Sequence, residues 1–510
     1  MVLENKYIKS LKVSHTYLGL FAIIFFYISA FFGTITVLKP YINTWESPSK
    51  HFAAMTTNEF NLDVSIPNGL ETLNNPTNKV TITLPSATEK AIAMKYGFSE
   101  NIYIDPNTSK VLDTQYENSL LSNFFNTMHI NVNMSDTGQL LMGITSIAIV
   151  FLTISGVYLW LLNRKKRAPS KNFWFRWHKD LSLVILPYII IFSLTGAVLG
   201  IMLTASSPFA YSASQGKETS MAKLVRPVIF VPPIKVKQSK EDAKMEKYSI
   251  LYKKAQDNYE NLHITEISLF NWNDKNARIV FSGYLNDNRI LTSRVNRVNI
   301  VLNGETAQIV RKKTLDDTHE VSQFLSAFYF FHFITDEDIL LRIIYIILGI
   351  IFTISLVFGL FIWIGRKILK GKNTYFNIIT KLSTAFTIGM IPASTSTLFL
   401  YWVLPFSVQD RDTWIIGGFY TMWSFTFLYS VYKKDALDAA KDFLYLNALL
   451  LILAVLFHGY RTDMFLWDSY AHSIWDVFYM DLFFLLFGIG SFVFAKNINK
   501  IKFFDKFKGY

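Results

Sequence analysis

The chain has 510 residues, 51% hydrophobic and 17% charged, with 45 Phe and a formal charge of +12. Cys is absent, which excludes c-type haem attachment, cysteine-held iron–sulfur clusters, disulfides and thiol chemistry. Apolar runs of about 20 residues recur, enough to cross a hydrocarbon core of about 30 Å, so the chain reads as a polytopic membrane protein. Its basic excess sits in loops beside the spans and needs no nucleic-acid partner.

In chain order, Lys6, Lys9 and Lys12 precede a first span, 17–38, which reads as a retained signal anchor with a cytoplasmic N-terminus. The polar stretch 41–138 holds 10 acids and 5 Lys, suiting the outer side. A second span, 139–162, ends at Arg164, Lys165, Lys166, Arg167, Lys171 and Arg176, a cytoplasmic marker. A third follows at 181–203. A second outer stretch covers 204–338. The fourth span, 339–365, closes on Arg366, Lys367, Lys370 and Lys372. Apolar segments at 377–404, 414–432, 443–460 and 474–495 complete eight spans with both termini inside. The divisions are thus 1–40, 41–138, 139–203, 204–338, 339–372 and a C-terminal membrane extension, 373–510.

Both outer stretches read as small soluble α+β domains. In the first, 87–96 is expected to be a helix, and 102–105 and 110–114 strands around Pro106-Asn107. In the second, 240–259 is expected to be a helix. The segments 263–270, 277–284, 290–302 and 306–312 read as strands, with Asn303-Gly304 as a type I′ turn. Span, outer domain and span then repeat as an internal duplication.

The histidines follow that duplication. His15 precedes Gly33 by 18 residues, and His178 precedes Gly196 by the same 18. His129 precedes Gly156 by 27 and Trp160 by 31; His332 precedes Gly359 and Trp363 by the same intervals. Eighteen residues are five helical turns, which places each first-pattern pair on one stripe. Topology puts His15 and His178 at the cytoplasmic mouths of spans one and three. It puts His129 and His332 on short aromatic surface helices outside spans two and four, each presenting its ring inward. Polar breaks at 135–138 and 335–338 follow those helices. Two neutral imidazoles near each membrane face suffice for a bis-His haem, a closed site suited to electron transfer. Glycines on these stripes admit a flat macrocycle or another helix. Arg176 and Trp177 flank His178, where propionate binding and interfacial anchoring are both open readings.

The ordered motifs resemble those of the PepSY-associated transmembrane-helix family of iron-regulated membrane proteins. They are "HTYLGL" at span one, "YIDPNTSKVLD" (103–113), "TISGVYLWLL" (153–162), "RWHKDLS" with "SLTG" in span three, and "FFHF" with "SLVFGLFIW" in span four. The likeness covers roughly residues 1–370. This sequence departs at Ser14-His15-Thr16 and Met128-His129-Ile130, and lacks the glycine expected at Thr108-Ser109. The resemblance implies an all-α membrane bundle of about eight helices with two PepSY-like extracytoplasmic domains. It implies two b haems, one on His15 and His178 near the cytoplasm and one on His129 and His332 outside. Gly33, Gly196, Arg176 and Trp177 would be further contacts, and the activity would be reduction of a periplasmic ferric siderophore or other ferric chelate by an inner-membrane protein.

No Gly-rich dinucleotide fingerprint is present, so the donor is expected to be a separate flavoprotein or a membrane quinol. Two rival readings stand: a haem-free modulator of a periplasmic protease, and an iron or siderophore transporter. The latter draws on Asp476 and Asp481 in or near the last apolar segment; His472 could pair with Asp476 at i,i+4, but interfacial solvation is the expectation for these residues and for His458. His51, His263 and His319 are expected on the outer domains' surface.

Overall fold

The computed structural model describes residues 2–54, 60–97, 99, 101–114, 117–163, 172–229, 236–294, 298–334, 339–368 and 374–500. The chain divides into two compact units, 1–51, 116–201 and 342–510 forming one, and 52–115 and 202–341 the other. The first begins with α1 (Val2–Thr36) and α2 (Lys39–Trp45). The chain then enters the second through α3 (Leu62–Thr72), β1 (Val80–Thr83), β2 (Ile92–Tyr96) and β3 (Ile102–Ile104). It returns as α4 (Leu120–Asn131), α5 (Ser135–Asn163), α6 (Phe173–Val184) and α7 (Leu186–Thr204). The second unit continues with α8 (Ser207–Ala213), α9 (Met221–Ile229), α10 (Tyr248–Asn258), β4 (Leu262–Phe270), β5 (Arg278–Leu285), α11 (Ile290–Ser293), β6 (Val298–Asn303), β7 (Ile309–Lys313) and α12 (Glu320–Phe333). The remainder is α13 (Ile339–Ile368), α14 (Thr374–Thr387), α15 (Met390–Val403), α16 (Arg411–Tyr432), α17 (Ala436–Thr462), α18 (Leu466–Ala471) and α19 (Trp475–Asn497).

Six described helices are long and apolar enough to cross a membrane: Lys6–Thr36, Ser135–Leu162, Ile339–Lys367, Asn377–Val403, Ala436–Thr462 and Trp475–Lys500. A seventh span counts if α6 and α7 are taken together, and these are bent by 74°. The chain is thus a multi-pass helical membrane protein. The expected segment 414–432 forms α16, unbroken over 22 residues. However, Gly417, Gly418, Thr421, Ser424, Thr426 and Ser430 lower its hydropathy below that of the others. The bend at Ile185 follows from Pro187. Proline has no N–H for the helix ladder, and its ring collides with the carbonyl four residues back. His178 and Gly196 therefore do not share one helical stripe as their spacing predicts, whereas His15 and Gly33 do, on the continuous α1.

The first unit's core is aromatic. Phe32 of α1 packs on Phe124 and Phe125 of α4 and on Phe419 of α16 at ring separations of 6.3, 5.8 and 5.8 Å. Gly143 of α5 and Gly200 of α7 cross so closely that a Cβ on Gly200 would lie 2.5 Å from the Gly143 Cα.

The second unit corrects the expectation of two soluble domains. All seven described strands form one antiparallel sheet in the order β3-β2-β1-β4-β5-β6-β7. The join is β1 with β4, in register from Val80–Leu269 to Thr83–Glu266. The expected helix at 87–96 is instead strand β2 at its C-terminal end. The first stretch's helix is α3, which buries Leu62, Ile66 and Leu70 against the sheet. Residues 110–114 contribute only a bridge, Val111 to Ile104. The helix expected at 240–259 is confined to α10, and the strand at 290–302 to β6, with α11 before it. Asn303-Gly304 is not a type I′ turn. Asn303 Oδ1 accepts the N–H groups of Glu305 and Thr306, and the left-handed residue is Ala307, φ 55°. Gly304 is required by packing, because a Cβ there would lie 2.9 Å from Met245 Sδ. Ser109, where a glycine was expected, does take the left-handed conformation, φ 58°. Its hydroxyl meets Ser65 Oγ at 2.8 Å and its carbonyl accepts Asn68 Nδ2 at 2.8 Å, which offsets the strain.

Of the sequence features above, Arg164, Lys165, Lys166, Arg167, Lys171, Lys370, Lys372, the break at 335–338 and everything beyond residue 500 lie outside the described residues. Ser135–Gly138 is no break; it is the first turn of α5.

Candidate functional site: histidines seated on glycines

Three of the four repeated histidines belong to the first unit, and each is held by a neighbouring helix in the same manner. His129 of α4 donates Nδ1–H to the Ser29 carbonyl of α1 at 2.9 Å. The Ser29 hydroxyl in turn donates to the His129 carbonyl at 2.9 Å. His178 of α6 donates Nδ1–H to the Ser355 carbonyl of α13 at 2.9 Å. His15 of α1 meets Ser155 Oγ of α5 at 2.8 Å. That hydroxyl also reaches the Leu152 carbonyl at 3.1 Å. A carbonyl can only accept. In His129 and His178 Nδ1 therefore carries the proton and Nε2 the lone pair, the tautomer in which Nε2 is the nitrogen able to ligate a metal.

Glycines make room for the rings. A methyl on Gly33 would lie 2.8 Å from His129 Nδ1; on Gly359, 3.2 Å from His178 Cε1; on Gly156, 3.3 Å from His15 Cε1. Each histidine thus sits against the glycine of the other sequence pattern. Ser29 and Gly33, and Ser355 and Gly359, are four apart, so the acceptor and the gap share one helix face. That Ser-x-x-x-Gly spacing inside apolar runs is the signal by which the serines are findable in sequence. Gly196 faces Ser146 of α5, whose Oγ would be 2.9 Å from a Cβ there.

His15 and His178 lie within electrostatic range of one another. Arg176 and Trp177 are exposed on α6, the guanidinium 5.9 Å over the indole. Trp174 instead turns inward, stacked on Phe361 of α13 at 5.0 Å. His332 is half-buried on α12 in the second unit, its ring edge-on to Phe333 at 5.2 Å. Among the described residues no group of three or more His, Asp or Glu converges on a metal position.

Burial holds the His129 pKa below its ordinary value, against the pull of the Ser29 hydrogen bond. That favours the neutral ring, the form in which an imidazole can bind a metal. The start of its helix is anchored by Glu46, fully buried, which accepts Leu121 N–H at 2.6 Å and Ser122 N–H at 3.1 Å. These are donors that a helix's first turn leaves open. Burial pushes the Glu46 carboxyl up to about 7, against the Ser122 and Leu121 hydrogen bonds and the Lys50 charge. A carboxyl whose folded pKa stands above its ordinary 4.5 contributes stability that is complete below the lower value and lost as pH rises through the upper one. Thermal unfolding in detergent is expected to show about 3 kcal/mol less stability near pH 8 than near pH 5 from this group. Glu46→Gln removes that part of the slope.

The C-terminal histidines and acids depart from expectation. His458 and Asp481 are both fully buried, with His458 Nδ1 on Asp481 Oδ2 at 3.1 Å. They are not solvated at an interface. His472 does not pair with Asp476; its Nδ1 lies 2.8 Å from the Asp468 carbonyl. His51 belongs to the first unit, its ring 5.4 Å from that of His458. His319 caps α12 by accepting Val321 N–H, and His263 packs on Tyr284 at 4.8 Å.

These features define a multi-pass helical membrane protein that carries an antiparallel sheet domain between its spans. The family model described as the PepSY-associated TM region matches residues 14–366, and the chain belongs to that family. The match takes in all four repeated histidines and stops before α14–α19. No curated protein matches the chain.

Proposed function

We propose that the chain is an inner-membrane di-haem b protein that passes electrons across the bilayer to a ferric chelate outside. The reading is supported above all by the shared tautomer of His129 and His178, each with Nδ1–H on a serine carbonyl and Nε2 left as the basic nitrogen, and by the matching contact of His15 Nδ1 with the Ser155 hydroxyl. His15 and His178, in one unit and within reach of each other's charge, suit the inner haem. His129 and His332 would hold the outer one, a role proposed from their matched sequence spacing and the family resemblance alone. Bis-imidazole haem supplies a one-electron couple with no open iron position. The protein's part is to orient the rings through their serine partners, seat three of them against glycines, and exclude water with the aromatic core. In this reading eight spans place both termini in the cytoplasm and the sheet domain in the periplasm. The donor is a separate flavoprotein or a quinol, and the product is ferrous iron released from its siderophore.

The test uses the full chain in liposomes with a reductant inside. A ferric hydroxamate chelate and a chromogenic ferrous chelator are placed outside. Ferrous colour is expected outside, and none is expected from liposomes carrying His178→Ala. Uptake of intact chelate without colour would make the protein a transporter. Neither uptake nor colour, with no haem bound, would favour the protease-modulating reading.

A further inference from the structure

Outside the family match, the C-terminal helices build a buried polar cluster on α2. Asp481 of α19 is fully buried and receives Trp45 Nε1–H on Oδ1 at 2.7 Å and His458 Nδ1 on Oδ2 at 3.1 Å. Among the described residues its one ionic partner is His458. Lys50, also buried, is within range of Glu46. Arg461, one turn beyond His458 on α17, is committed to the Trp402 and Val403 carbonyls at 3.0 Å each. A carboxylate accepts, so His458 carries its proton on Nδ1 and has its lone pair on Nε2. That Nε2 is buried and has no hydrogen-bond partner among the described residues.

A second imidazole stands beside it. His51 donates Nε2–H to the Thr44 carbonyl at 3.1 Å, which makes Nδ1 its basic nitrogen. The two ring centres are 5.4 Å apart and the ring planes cross at 70°. Two imidazoles sharing one tetrahedral ion at about 2.1 Å per bond have ring centres about 5 Å apart. Trp45 and Trp402 wall the site, their rings 5.0 and 4.8 Å from His458. A carboxylate behind a histidine, with the distal nitrogen pointing away, is the usual support of a metal-ligating ring.

We propose that His458 and His51 form a binding site for a divalent first-row transition-metal ion of the kind imidazole favours. Asp481 and Thr44 fix the two rings, and water completes the coordination. The ion supplies the positive charge that Asp481 otherwise lacks. The site joins the C-terminal extension to the segment after α1, and it is separate from the four repeated histidines.

Zinc is the probe. The full chain, without a histidine tag and stripped with a chelator, is titrated with Zn²⁺ against a chromophoric zinc chelator, with thermal unfolding in parallel. One zinc per chain is expected, with a raised Tm. Asp481→Asn weakens binding by about 10–100-fold. His458→Ala abolishes it but leaves Asp481 buried without its partner, so His51→Ala, at a half-buried ring, is the decisive variant. It is expected to fold and to lose the site. His472→Ala keeps it. A double His15→Ala, His178→Ala variant also keeps it, which separates failure of this inference from failure of the haem reading. Folded wild-type protein that takes up no stoichiometric zinc, or His51→Ala that binds as wild type does, overturns the proposal.

Discussion

Replacing His178 with alanine is expected to leave the purified protein with one haem in place of two and to stop electron flow to an outside acceptor. The ring reaches its position only because α6 departs from α7 by 74° ahead of Pro187, which brings it against α13. There the Ser355 carbonyl fixes Nδ1–H at 2.9 Å and Gly359 gives space. His15 alone would supply only one of the two imidazoles that the proposed inner haem would need. Loss of a half-buried imidazole costs stability on the order of 1–3 kcal/mol, so the variant should still fold, and its Tm is measured beside its haem content. His263→Ala, in the sheet domain, retains both haems. A folded His178→Ala protein with two haems removes this residue from the site.

The second large effect is at Gly33. An added methyl would stand 2.8 Å from His129 Nδ1 and 2.9 Å from Cε1, closer than real Cβ contacts. Either the ring moves or α4 does, and both break the bond to the Ser29 carbonyl. Gly33→Ala is therefore expected to weaken the outer haem by about 10–100-fold, the usual loss when a ligand's supporting contact is removed. Gly156→Ala is milder, because its methyl would meet only His15 Cε1, at 3.3 Å. That variant should keep both haems with a shifted spectrum. Haem content by pyridine haemochrome separates the two. Equal effects would mean the glycines pack helices and do not seat rings.

The membrane helices α1, α5 and α13 are legible from apolar length, because burial in lipid leaves one dominant pattern. The bend before α7 is written in Pro187, but a composition count reads through it. The sheet is less legible. Ile92–Tyr96, Ile-Ala-Met-Lys-Tyr, has helix-compatible residues, and it is a strand because β1 and β3 pair with it on both sides. The β1–β4 join links Val80–Thr83 to Glu266–Leu269, a separation no local period reports. Of the candidate site, the four histidines were readable from repeated intervals. Their serine partners are marked by Ser-x-x-x-Gly in α1 and α13. The exchange of glycines between patterns was not readable, since it depends on which helices touch. His458 and Asp481, on α17 and α19, looked like interfacial polar residues; only helix packing shows both at zero exposure.

The most direct measurement is the reduced-minus-oxidised spectrum of the full chain purified after expression with haem supplied, with haem counted per polypeptide. A reducible b-type spectrum with two haems per chain is expected, falling to one in His178→Ala. Folded, monodisperse protein that carries no haem under those conditions would contradict it.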